Sequence, residues 1–211
     1  MTAKPRQPKP PQPKPEAKVR HPDARPLTDP REIRAIAHPV RIALLEALSR
    51  EGPLTATQAS EIVDESPANC SFHLRTLAKY GFVEEAPGGS GRQRPWRRVT
   101  FGQSLELADE GETGIAAQAF AHMSDERTFE RIRQYVDTIS AFPKEWQDAS
   151  FLFDSLTYLT PEELKEIQVS LFELLIRFRE RTMDKSLRPK GSRAVQLAAY
   201  GFALPQTPSG N

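Results

Sequence analysis

The stretch SPANCSFHLRTLAKYGFVEE, residues 66–85, decides how this chain folds. Ser66 is a good helix-capping residue and Pro67 suits the first helical position, so a helix is predicted to begin here. Gly81 predicts its end, because glycine readily adopts the left-handed conformation that closes a helix. From Phe82 onward the pattern becomes that of a strand. The stretch therefore predicts a helix that turns directly into a β-strand.

The predicted helix has one apolar side and one polar side. Cys70, Leu74, Leu77 and Ala78 recur at helical spacing and are expected to be buried. The opposite side offers an amide, a hydroxyl, an apolar surface for a thymine methyl group and cations for phosphate, which are the groups that read and grip DNA. A merely solvated helix face would look similar in isolation. The residues of this helix expected to contact DNA are Ser66, Ala68, Asn69, Ser71, Phe72, Arg75 and Lys79.

Three further helical patterns precede this stretch. The first begins at Asp29, and the second runs from Pro39 to Gly52 with an apolar stripe along it. The third begins with a capping box, in which Thr55 and Gln58 each accept a hydrogen bond from the other's backbone N–H. The sequence thus predicts two helices, then a short helix, a turn and the helix of residues 66–80.

Two strand patterns, residues 82–86 and 93–101, flank a glycine-rich turn at residues 87–91 and predict a β-hairpin. Arginines surround this turn, where a flexible backbone lets guanidinium groups reach phosphates or the minor groove. A loop that only aids solubility is the alternative, but residues 87–105 contain no acidic side chain. The hairpin residues expected to contact DNA are Arg92, Arg94, Arg97 and Arg98.

This order of elements is that of a winged helix-turn-helix at about residues 28–100. Residues 66–85 resemble the recognition helix and first wing strand of ArsR-type regulators, and AHPVRIALLEAL, residues 37–48, resembles their second helix. The resemblance implies a repressor that binds an inverted repeat as a homodimer, with half-sites about one helical turn apart. Many family members sense metals through cysteines on the helix corresponding to residues 55–63, and this chain has none there.

Charge is unevenly distributed along the 211 residues. The net charge is +5 for residues 1–27, +1 for residues 28–100 and −5 for residues 101–211. An acidic carboxyl-terminal half repels DNA, so nucleic-acid contacts are expected in the first hundred residues. Nine of the nineteen prolines lie within the first thirty residues among lysine, glutamine and arginine. This composition predicts a disordered tail over residues 1–27.

The carboxyl-terminal half is predicted to be mainly helical. One helix is marked by apolar residues from Phe129 to Ile139, and a Thr-Pro-Glu-Glu cap at residues 160–163 begins another. Residues 151–159 and 194–204 resemble strands of a small sheet that would wall a pocket for an unidentified small-molecule effector. The second helix carries a heptad seam that packs either within the chain or against a second copy. The seam residues are Leu164, Ile167, Leu171, Leu174 and Phe178.

The sequence lacks the signatures of an enzyme, a metal site or a membrane protein. It contains no glycine-rich phosphate loop, nucleophile elbow or distinctive pair of carboxylates. Cys70 is the single cysteine, so no internal disulfide is expected, and both Cys70 and His73 are interpreted as structural. No apolar run is long enough to span a membrane and no apolar leader is present, which predicts a cytoplasmic protein. No cofactor and no metal are predicted.

The expected architecture is mainly α with a small β component: a winged helix-turn-helix followed by a helical dimerisation and effector region. The expected boundaries are a disordered tail at 1–27, the DNA-binding domain at 28–103, the helical region at 104–204 and a second disordered tail at 205–211. The expected function is regulation of transcription, with double-stranded DNA and a second copy of the chain as partners. The alternative is a winged-helix adaptor that binds proteins, which the arginine-rich hairpin disfavours.

Overall fold

Eight α-helices and four short strands make up the described part of the chain, which in this computed structural model comprises residues 24–89, 91–100, 102–105 and 111–205. The predicted class, mainly α with a small β component, is confirmed. Short 3-10 helices lie at Gly91–Gln93, Ile139–Ala141 and Lys185–Leu187. The other elements are β1 (Ala24–Leu27), α1 (Pro30–Ile36), α2 (Pro39–Glu51), α3 (Ala56–Val63), α4 (Pro67–Lys79), β2 (Val83–Glu85), β3 (Trp96–Arg98), β4 (Gly102–Leu105), α5 (Gly111–Thr138), α6 (Lys144–Ala149), α7 (Pro161–Ile176) and α8 (Arg179–Met183).

The amino-terminal helices begin where side chains satisfy their first N–H groups. Ser66 caps α4 by accepting a hydrogen bond of 3.1 Å from the backbone of Asn69. Thr55 and Gln58 form the predicted capping box of α3. At α2 the cap is His38, whose Nδ1 accepts a hydrogen bond from the second helical residue. Such a cap requires the neutral form of the imidazole, because a protonated Nδ1 cannot accept.

The core of the amino-terminal half lies between α1, α2, α3, α4 and the hairpin. The apolar stripe predicted along α2 includes Leu44 and Leu48, and both are buried. Ile42 and Leu45 are buried as well, so the buried surface of α2 is wider than the stripe. The first turns of α5 pack against α1 and contribute two buried alanines. The side chains most completely removed from solvent are Leu27, Ile33, Ile36, Leu44, Cys70, Leu74, Leu77, Phe82 and Val83.

A strand that the sequence did not predict, β1, pairs in parallel with β4. The register runs from Ala24 opposite Gly102 to Leu27 opposite Leu105. The expectation of a disordered tail over residues 1–27 is therefore wrong for Ala24–Leu27, and its remainder lies outside the described residues. The buried side chain of Leu27 and the main-chain pairing with β4 together hold this strand in place.

β2 and β3 form the predicted antiparallel hairpin, with Glu84 opposite Arg97. Both strands are shorter than predicted. Two main-chain hydrogen bonds between Leu54 and Trp96, of 3.0 and 2.7 Å, attach the hairpin to the segment just before α3. The hairpin is thus joined to the helical core at its second strand as well as at its first.

Beyond β4 the chain contains helices, as predicted, but no sheet among its described residues. α7 begins at the predicted capping box of Thr160 and Glu163. The strands predicted at 151–159 and 194–204 are wrong: both segments lack strand pairing, and the wall expected for an effector pocket is not formed there. Tyr200 instead stacks on Phe129 of α5, with 6.1 Å between ring centroids. No helix in the described ranges has the length and apolar character needed to span a membrane.

Candidate nucleic-acid interface

α4 presents an outward face because its opposite side is fully buried. Cys70, Leu74 and Leu77 have no exposed surface, which confirms three of the four residues of the predicted buried side, while Ala78 is half-buried. His73 is buried beside them. On the outward side, 60% of Phe72 is exposed. The structure places the remaining predicted residues at the surface, with Ser66, Ala68, Arg75 and Lys79 exposed and Asn69 and Ser71 half-buried.

The polar side chains of this outward face bond to their neighbours. The amide Nδ2 of Asn69 donates to the carboxylate of Glu65 at 2.7 Å. The guanidinium of Arg75 donates to Ser71 Oγ at 2.8 Å. Both bonds join residues four apart and orient the side chains before any ligand arrives. A base edge or a phosphate can replace them, because surface hydrogen bonds contribute little net free energy.

A left-handed residue between α3 and α4 sets the angle between these two helices. Asp64 has φ of 56° and ψ of 51°, and its N–H donates to the carbonyl of Ser60 at the end of α3. Aspartate tolerates this conformation better than most residues other than glycine. The sequence predicted a turn at this place, and the structure identifies Asp64 as the residue that makes it.

The hairpin carries two outward arginines, and each is paired with a glutamate of the neighbouring strand. Arg94 lies 2.7 Å from Glu85, and Arg97 lies 2.6 Å from Glu84. All four side chains are about half exposed. The side chain of Arg92, also predicted to contact DNA, lies outside the described residues.

Arg98 differs from the other hairpin arginines, because its side chain turns inward. It donates to the hydroxyl of Ser49 in α2 at 2.6 Å. Burial lowers the pKa of Arg98 to about 10, and the nearby carboxylate of Glu46 opposes this shift. The group stays cationic at neutral pH, but the structure does not bring it together with Arg94 and Arg97.

His73, on the buried side of α4, lies in contact with His38, the cap of α2. The rings of His38 and His73 are 4.5 Å apart between centroids. Burial lowers the pKa of both, and the positive charge of Arg41 lowers it further, while Glu65 acts in the opposite direction. The burial of His73 agrees with the structural role expected for it. Among the described residues, no three His, Cys, Asp or Glu side chains meet in a way that could bind a metal ion.

Sequence reasoning did not predict that acidic residues would pair with the residues expected to contact DNA. Glu65 contacts Asn69, while Glu84 and Glu85 contact the hairpin arginines. For the hairpin, the sequence does contain a sign of this pairing. Antiparallel strands put the two glutamates of β2 opposite or diagonal to arginines of the returning strand. The two glutamates of β2 therefore partly neutralise the arginine-rich hairpin.

Comparison with known proteins identifies a helix-turn-helix domain in the same part of the chain. Residues 36–86, which contain α2, α3, α4 and β2, match the model of a helix-turn-helix domain family. No curated protein matches the chain. The match and the geometry support a helix-turn-helix domain of DNA-binding regulators, in which α3, the turn at Asp64 and α4 are the helix-turn-helix itself.

Proposed function

We propose that this chain is a sequence-specific repressor of ArsR type that binds an inverted-repeat operator as a homodimer. The observation that carries the proposal is the outward polar face of α4, anchored by a buried face and followed directly by a hairpin with exposed arginines. A helix of this kind fits the major groove, and a hairpin beside it reaches the flanking backbone.

The residues divide into two roles. In the major groove, Asn69 offers the amide that recognises adenine, and Phe72 offers an apolar surface for a thymine methyl group. Arg75 and Lys79, near the end of α4, supply positive charge for phosphates. Ser66, Ala68 and Ser71 complete the face at the start of the helix.

The ion pairs of the hairpin are compatible with phosphate binding. Exposed pairs such as Arg94 with Glu85 and Arg97 with Glu84 are worth only about 0.2–1 kcal/mol. A phosphate group can displace such a carboxylate, because the bidentate pairing with arginine and the release of counterions are both favourable. The glutamates then reduce the affinity without preventing the contact.

Selection of bound sequences from random duplex DNA, with the purified full chain at two salt concentrations, tests the proposal. We expect a palindromic motif whose half-sites lie about one helical turn apart. Retention that depends on salt but selects no sequence would contradict it.

A second function, binding of a protein partner through α4, is supported by two observations. Phe72 is an exposed aromatic residue at the centre of the outward face, and the hairpin arginines are paired with glutamates. Absence of any enriched DNA motif in the selection would favour this function.

A further inference from the structure

α7 has apolar side chains on two faces, and its own chain covers only one of them. Val169, Phe172 and Ile176 are half-buried, and the side chain of Leu164 lies against Gly201 of the carboxyl-terminal segment. The other face exposes large apolar side chains. Their exposed fractions are 44% for Ile167, 38% for Leu171, 53% for Leu174 and 51% for Phe178.

A groove of about 410 Å³ runs along this exposed face. Its apolar lining comes from Leu159, Ile167, Leu171 and Leu174, and Glu163 contributes a carboxylate. The segment before α7 contributes Leu159 to the groove and exposes two large aromatic side chains, Phe153 at 85% and Tyr158 at 98%. An apolar surface of this extent is unusual for a protein that remains a monomer.

The chain ends beyond the described residues are poor candidates to cover the groove. Residues 1–23 contain Met1 and Val19 as their only large apolar side chains, and residues 206–211 contain none. Proline, lysine and glutamine dominate the first segment. Neither segment can supply a row of apolar side chains that matches the face of α7.

We propose that α7 of a second copy occupies this groove in antiparallel orientation. The apolar residues of the exposed face are three and four apart, and a two-fold axis near Ser170 sets Ile167 of each copy against Leu174 of the other, with the two Leu171 side chains close to the axis. The inference deepens the homodimer of the proposed function and rests on it. It identifies the surface through which the two copies associate.

Charge complementarity favours the antiparallel orientation. Acidic residues stand at the start of α7, where Glu163 borders the groove, and Arg177 stands at its end. In the antiparallel pair each Glu163 lies near Arg177 of the other copy. In a parallel pair these charges stay about 21 Å apart, because fourteen residues of helix separate them.

The first test measures the mass of the full chain by light scattering without DNA. We expect a dimer, and Leu171→Lys should raise its dissociation constant at least about tenfold, because two lysines would be placed in an apolar seam. Val136→Lys is the matched control, since Val136 is a half-exposed apolar residue of α5. A monomeric wild type, or a dimer that only Val136→Lys disrupts, overturns the inference.

The second test is a double-mutant cycle for the charge pair. Glu163→Gln keeps the capping box but removes the charge, and Arg177→Gln removes the partner charge. Each variant should weaken the dimer by about twofold to fivefold, and the double variant should be no weaker than either. Additive losses contradict the antiparallel contact. A DNA motif selected as a half-site by a monomer would leave the proposed DNA binding intact and remove only this interface.

Discussion

The guanidinium of Arg25 lies over the ring of Phe82, with 5.0 Å between its Cζ and the ring centroid. It also donates to the carbonyl of Tyr80 at 2.5 Å, at the carboxyl end of α4, and pairs with the carboxylate of Glu32. A side chain from β1 therefore covers the residue that links α4 to the hairpin, and satisfies a carbonyl that the helix leaves open.

Arg25→Ala should lower the free energy of unfolding by about 1–2 kcal/mol, because it removes the contact with Phe82 and leaves the Tyr80 carbonyl without its donor. Urea unfolding measures this loss. Arg31→Ala, at an exposed position of α1, serves as the control and should change stability by less than about 0.5 kcal/mol. Equal effects of the two changes would contradict a stabilising role of the Arg25 side chain.

Glu46 of α2 holds α5 through two arginines. Its carboxylate lies 2.6 Å from Arg127 and also pairs with Arg131. Glu46→Ala should cost about 2 kcal/mol of stability, less than a fully buried pair because the groups retain partial exposure. Glu51→Ala, which removes an exposed carboxylate from the same helix, should cost far less in the same thermal or urea unfolding experiment. A comparable loss in both variants contradicts the role of Glu46.

The free energy of unfolding should fall in mild acid because of the contacting histidines His38 and His73. The pKa of His38 and of His73 lies below the ordinary 6.5 in the folded chain, so the unfolded chain takes up protons first as the pH drops. The stability that the neutral histidines contribute is complete above pH 6.5. It declines below that pH by at most about 1.4 kcal/mol per pH unit for each histidine. Unfolding free energies measured between pH 7.5 and 5 check this.

A double variant isolates the cause of that decline. His38→Asn keeps a capping acceptor for α2. His73→Leu fills the buried position on α4 with a side chain that cannot be protonated. The double variant should lose stability less steeply over the same pH range. An unchanged slope would assign the acid sensitivity to other groups.

Opposite effects on DNA affinity are expected within each hairpin ion pair. Arg94→Ala or Arg97→Ala should weaken binding similarly on all sequences and reduce the salt slope by about 1. Glu84→Gln should strengthen binding, because it removes a carboxylate that competes with phosphate for Arg97. Arg133→Ala, on the exposed surface of α5, should leave both the affinity and the slope unchanged. A weaker complex with Glu84→Gln would argue against phosphate contact by Arg97.

Asn69 should govern sequence preference rather than overall affinity for DNA. Asn69→Ala removes the amide that can pair with adenine, and one base position of the selected motif should become less specific, by about 1–3 kcal/mol. Lys79→Ala serves for comparison and should reduce affinity without altering the motif. Identical motifs before and after the change at Asn69 would place its side chain outside the base contacts.

The sequence predicts well those features that depend on nearby residues. The capping residues Ser66, Thr55 and Thr160 lie within three residues of the groups they satisfy, so their roles could be recognised without the fold. The buried and outward sides of α4 follow from helical periodicity alone. The matched helix-turn-helix region lies within this locally predictable part.

Features that depend on distant residues could not be predicted. β1 has its partner at residues 102–105, and a four-residue segment with a proline gives no sign of such pairing. Arg98 lies among other arginines in sequence, but only the fold shows that Ser49 and Glu46 lie beneath it. The segments 151–159 and 194–204 have strand-like composition, yet a strand needs a neighbour to pair with, and composition does not provide one.

The parallel pairing of β1 with β4 also orders events during synthesis. β1 emerges early, but it has no hydrogen-bonding partner until the hairpin and residues 102–105 have followed it, and pairings so remote in sequence form slowly. We therefore expect closure of the amino-terminal half to be a late folding step, completed only when residues 102–105 are available to pair with β1.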